Sequence, residues 1–70
     1  MMPLIFAEAG KVNIIKKIGG SPEVKQHLED MGFNVGGQVS VISTLGGNVI
    51  VRVKDARVAL DSGLAAKIMI

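Results

Sequence analysis

The sequence predicts a small, mainly β fold: a β-barrel with one inserted α-helix and one C-terminal helical turn. Three observations carry that expectation. Several short segments alternate apolar and polar residues with period 2, the mark of half-buried strands. Glycine pairs punctuate them at Gly19-Gly20, Gly36-Gly37 and Gly46-Gly47. One segment alone, near residues 22–31, has the i, i+4, i+7 apolar spacing of a helix. Short strands joined by tight turns in so short a chain favour closure into a barrel, which removes exposed edges.

Each element follows from its own residues. Residues 3–7 form a short apolar run, expected as an edge strand, and Glu8-Ala9-Gly10 a turn. Residues 11–18 alternate. Val12, Ile14 and Ile18 share one face with Lys16, expected inward, while Lys11, Asn13, Ile15 and Lys17 share the other. Ser21 is suited to cap a helix, because its hydroxyl accepts from a first-turn N–H. Pro22 fits the first helical position and Glu23 the positive helix end. Val24, Leu28 and Met31 form the apolar stripe, and Gly32 ends the helix as its left-handed residue. Phe33 then folds back onto Leu28.

Residues 34–37 read as a turn. Residues 38–45 alternate with Val39, Val41 and Leu45 on one face. Gly46-Gly47 is a two-residue hairpin signal. Residues 48–54 place Val49, Val51 and Val53 inward and Ile50, Arg52 and Lys54 outward. Asp55-Ala56 is a weaker turn, and residues 57–60 return with Val58 and Leu60 inward. Asp61 or Ser62 caps one helical turn through Leu64, Ala65 and Ala66, and residues 67–70 form a last strand.

Composition narrows function. Seventy residues allow one domain, residues 1–70. Such a chain buries only about 60% of its unfolded surface and needs some compensation. It has no cysteine, which removes disulfides, zinc–thiolate sites and iron–sulfur ligation, so packing of its 49% hydrophobic residues must suffice. A net charge of +2 is a mild excess, whereas nucleic-acid modules cluster Lys and Arg on one face. Residues 1–10 carry no basic n-region, and the uncharged stretch 31–51 is broken by five glycines. The expectation is a soluble, cytoplasmic protein with no membrane insertion.

No catalytic constellation is present. Ser21, Ser40, Ser43 and Ser62 have only His27 as a base, and no nucleophile elbow surrounds them. Gly19-Gly20-Ser21-Pro22 precedes a helix start, but neither phosphate-loop pattern occurs. The protein is therefore expected not to be an enzyme and to carry no cofactor.

The order "HLEDMGF", "VGGQVSV", "LGGNVIVRV", "ARVAL" and "AAKIMI" resembles the ferrous iron transport protein A family over nearly the whole chain. The best-matching pieces are the helix ending Leu28 to Phe33 with Gly36, and the final strand Ala65 to Ile70. The resemblance implies an SH3-like β-barrel. It also implies a small cytosolic accessory protein of ferrous iron uptake. Its partner would be the membrane ferrous iron transporter, protein B, at its cytoplasmic GTP-binding region, whose activity it would modulate. The chain differs from many members at Lys25-Gln26-His27, where they carry arginine, and at Asn48, where a proline often stands. The alternative is a KOW-type barrel binding RNA or a ribosomal partner, suggested by Lys11, Lys16 and Lys17 beside an alternating strand. Low net charge and the lack of stacking aromatics weigh against it.

Two sets of candidate site residues emerge. Glu23, His27 and Asp30 lie at helical spacing, and imidazole with two carboxylates suits a divalent transition metal. The competing reading, a surface histidine among capping charges, is favoured because no further nitrogen or thiolate ligand exists. The second set concerns docking. Ile15, Ile42 and Ile50 fall on nominally outward faces, and Phe33, Asn34 and Gly36 lie in the loop after the helix.

Overall fold

The computed structural model describes residues 1–70. Six strands and two helices follow in the order β1 (Val12–Ile14), β2 (Lys17–Ile18), α1 (Pro22–Asp30), β3 (Gln38–Leu45), β4 (Asn48–Val53), β5 (Ala56–Asp61), α2 (Ser62–Ala65) and β6 (Ile68–Met69). They build two sheets, one four-stranded in the order β1-β3-β4-β5 and one two-stranded, β2-β6. All pairings are antiparallel. The inner faces enclose a core that includes Leu4, Ile15, Leu28, Phe33, Val51 and Ile68, and no polar side chain is buried.

The helix forms as its residues dictate. Ser21 is extended and its hydroxyl accepts from the Val24 N–H at 3.3 Å. The helix ends in a Schellman motif. Phe33 N–H reaches the Leu28 carbonyl at 3.0 Å and Gly32 N–H the Glu29 carbonyl at 2.9 Å. Gly32 has φ +104°, a conformation open to glycine and strained for other residues. This ending aims Phe33 into the core, where it is fully buried with Leu28. The second helix is capped by Asp61, whose Oδ1 accepts from the Leu64 N–H at 2.8 Å.

Three expectations need correction. Residues 3–7 are not a strand. Met2 and Ile70 exchange backbone bonds at 2.9 and 2.8 Å, Pro3 bridges Met69, and the chain then coils into a 3₁₀ turn over Leu4–Phe6. The coil sinks Leu4 completely and leaves Phe6 exposed.

Residues 11–18 are two strands in different sheets, and their inward face is the opposite one. Val12 and Ile14 are exposed, whereas Ile15 is 1% exposed. Alternation groups residues by face but does not say which face meets the core. Ile18 is buried as expected, despite its opposite parity to Ile15, because the chain changes sheets between them.

Leu45, expected inward, is 74% exposed. The β3–β4 register shifts between Val41 and Ser43, so Ile42 is an extra residue. A bulge of one residue inverts the alternation beyond it, which turns Leu45 outward.

The hairpins match their turn residues unequally. At Gly46-Gly47 the positive φ, +62°, falls on Gly46, as a type II′ turn requires at its first central position. In the β4–β5 turn the same role falls on Lys54, with φ +54°. An L-residue in that region costs roughly 1–2 kcal/mol.

Two outcomes follow for stability. Phe33→Ala should remove about 3–5 kcal/mol, as large-to-small changes at fully buried aromatics do, read as a lowered midpoint in urea denaturation. Lys54→Gly should add up to about 1 kcal/mol by relieving the turn, read as a higher Tm.

Candidate functional site

The structure separates the candidate residues by burial. Ile15 and Phe33 lie in the core, at 1% and 0% exposure, so neither presents surface to a partner. Ile15 turned inward with its strand, and Phe33 was drawn in by the helix ending. Ile42 and Ile50 are half-buried on the outer side of the four-stranded sheet, Ile42 at the bulge and Ile50 opposite Ser43. Asn34 and Gly36 are exposed in the turn after α1, where Gly37 N–H reaches the Asn34 carbonyl at 2.8 Å.

Glu23, His27 and Asp30 are all exposed on α1. Their side chains do not gather, and no three His, Cys, Asp or Glu side chains in the chain form a metal-holding group. The Asp30 carboxylate instead accepts from Gln26 Nε2 at 2.9 Å, one helical turn away.

The outer face that carries Ile42 and Ile50 extends beyond those two candidates. One register row crosses all four strands there: Val12, Ser40, Arg52 and Arg57. Strands lie about 4.8 Å apart, so this row spans roughly 14 Å. Val12 is 64% exposed, Ser40 is small and half-buried, and both arginines are exposed. Two adjoining grooves, of about 290 and 370 Å³, share Val12, Ser40 and Arg52. Gln38 and Lys54 line the first and Ile42 and Arg57 the second. The signal was present in the sequence as outward Arg52 and Lys54. What it lacked was the register that sets Arg57 opposite Arg52.

That juxtaposition carries an electrostatic cost. Like charges directly opposite on antiparallel strands destabilise the pair. The structure contains one ion pair, Lys11 to Glu8 at 3.1 Å, and it lies outside this row. Arg52, Lys54 and Arg57 thus have no carboxylate partner. No helix is long and apolar enough to cross a membrane.

Residues 2–70 match the FeoA domain family. A Methanocaldococcus jannaschii protein named as an Fe(2+) transport protein A is 41% identical over all of this chain and 85% of its own length. The crystal structure of an iron uptake regulatory protein (FeoA) superposes with a TM-score of 0.86 at 30% identity, covering 96% of this chain and 89% of that one. The solution structure of iron(II) transport protein A from Clostridium thermocellum gives 0.90 at 23% identity, covering 97% of this chain and 43% of that one, and it bears on the fold alone. The architecture shared with these structures is the SH3-like barrel.

Arg57→Glu should raise stability by roughly 0.5–1 kcal/mol, since it replaces a like-charge cross-strand pair with an opposite-charge one. Thermal melts at low ionic strength should show the gain, and added salt should shrink it.

Proposed function

The chain belongs to the FeoA family of ferrous iron transport proteins, and from that membership we propose that it is a cytosolic accessory protein of ferrous iron uptake. In this reading it docks on the cytoplasmic, GTP-binding part of a membrane ferrous iron transporter and modulates its activity. It is not an enzyme, and iron is the transporter's cargo rather than a group resident in this domain. The observation that carries the reading is the match over residues 2–70, joined to 41% identity with a protein named for Fe(2+) transport over this chain's whole length.

Physical chemistry supports action by contact. The chain offers one histidine and no thiolate for holding a soft divalent metal. Its serines have a single possible base. What its surface does offer is a sheet face of mixed apolar and cationic residues, the composition of a docking patch. Modulation then requires unequal affinity for two states of the transporter, because a ligand that binds both equally shifts nothing.

An amide-shift titration of the labelled protein with the purified cytoplasmic region of the transporter tests this. Localised, saturable shifts are expected with the protein and none with Fe(II) alone. No shifts with the protein would overturn the docking reading. Shifts centred on Glu23, His27 and Asp30 with Fe(II) alone would reassign the domain to metal binding.

A further inference from the structure

We propose that the outer face of the four-stranded sheet is the docking surface, and that its occupant is an acidic protein segment with interspersed aliphatic side chains. This deepens the docking reading and rests on it. Charge complementarity on a shaped surface selects this occupant. Arg52 and Arg57 are register partners on β4 and β5, and Lys54, in the turn that follows β4, lines the first groove together with Arg52. None of the three has a carboxylate within ion-pair distance.

The nearby acids are engaged or lie elsewhere. Asp61 caps α2 and Glu8 holds Lys11, whereas Asp55 lies between Lys54 and Ala56 in the β4–β5 turn and comes within ion-pair distance of none of the three cations. Arg52 and Arg57 are therefore held side by side against their mutual repulsion, with Lys54 along the adjoining groove and no ion pair to neutralise any of them. An incoming carboxylate would relieve that repulsion, and an arginine fork can take it in a bidentate pair.

The apolar half of the surface specifies the rest. Ser40 is the low point of the row, flanked by Val12 and Arg52. An aliphatic side chain seated over Ser40 would contact the Val12 side chain and the Arg52 stem, whose methylenes serve as apolar wall. Half-buried Ile42 extends the floor of the second groove. Nucleic acid fits less well, because neither groove is lined by an aromatic ring on which a base would stack. A partner that alternates carboxylates with aliphatic residues meets both halves at once.

The test measures affinity for the transporter's cytoplasmic region in wild type, Arg52→Glu, Arg57→Glu and Arg57→Lys. Wild-type shifts should centre on residues 12–14, 38–42 and 52–57. Each charge reversal should weaken binding by at least about tenfold. Arg57→Lys should fall between wild type and Arg57→Glu, because lysine keeps the charge and loses the fork, and wild-type binding should weaken with salt. Arg57→Glu is at the same time expected to melt higher than wild type, so its loss of binding cannot be ascribed to unfolding. Wild type that fails to bind would overturn the docking reading and this one with it. Binding by wild type that survives both reversals would overturn this surface and leave docking standing. Parallel arms use an oligouridine and the protein alone over a concentration series. Salt-sensitive RNA binding abolished by Arg57→Glu, or concentration-dependent shifts on this face without partner, would replace the acidic segment with RNA or with a second copy.

Discussion

Ile15 donates its N–H to the Gly37 carbonyl at 2.9 Å and accepts from Gly36 at 2.8 Å, while the next residue, Lys16, donates to Met69 at 2.8 Å. Of two consecutive residues, one thus bonds to the turn that leads into β3 and the next to β6. This corner carries the chain from the four-stranded sheet to the β2-β6 pair, and both contribute to one core cluster together with Leu4, Leu28, Phe33 and Ala65. A chain of 70 residues without disulfides has packing alone to offset its conformational entropy. The corner supplies the geometry for that packing, with Ile15 and Ile18 entering the core from either side of it. The termini reinforce it, since Met2 and Ile70 exchange backbone bonds beside β6.

Helix α1 closes the assembly through its C-terminal signal. Leu28, Gly32 and Phe33 act as a unit: glycine permits the left-handed turn, the turn satisfies two helix-end carbonyls, and the aromatic ring is delivered to the core. An aromatic ring dominates a small core energetically because it buries so much area. Among two phenylalanines, Phe33 takes that role and Phe6 remains at the surface.

Local rules are otherwise well obeyed, which makes the exceptions informative. Lys54 stands where a turn favours glycine, and Arg57 stands opposite Arg52 where a sheet favours opposite charge. Both exceptions fall on one surface, the same one that carries exposed Val12 and Ile14. Natural sequences break local rules where function needs it and compensate elsewhere. The chain that carries this surface belongs to the FeoA family of ferrous iron transport proteins.

The sequence by itself determined the elements whose signals are local. Ser21, Pro22 and Gly32 bound the helix through hydrogen bonds within a few residues of each other, so its limits were legible. The same is true of the Gly46-Gly47 hairpin and of the α2 cap, expected at Asp61 or Ser62 and made by Asp61. Tertiary structure decided whatever depended on which face meets the core or which strand lies alongside. Period 2 is symmetric between the two faces of a strand, so Val12 and Ile15 exchanged roles once the sheets had paired. The bulge at Ile42 is a relation between two strands, and nothing within β3 announces the inversion that exposes Leu45. The row Val12, Ser40, Arg52, Arg57 is likewise drawn from four strands by register alone. Long-range register fixed that face, because side-chain alternation along one strand carries no information about what stands opposite on the next.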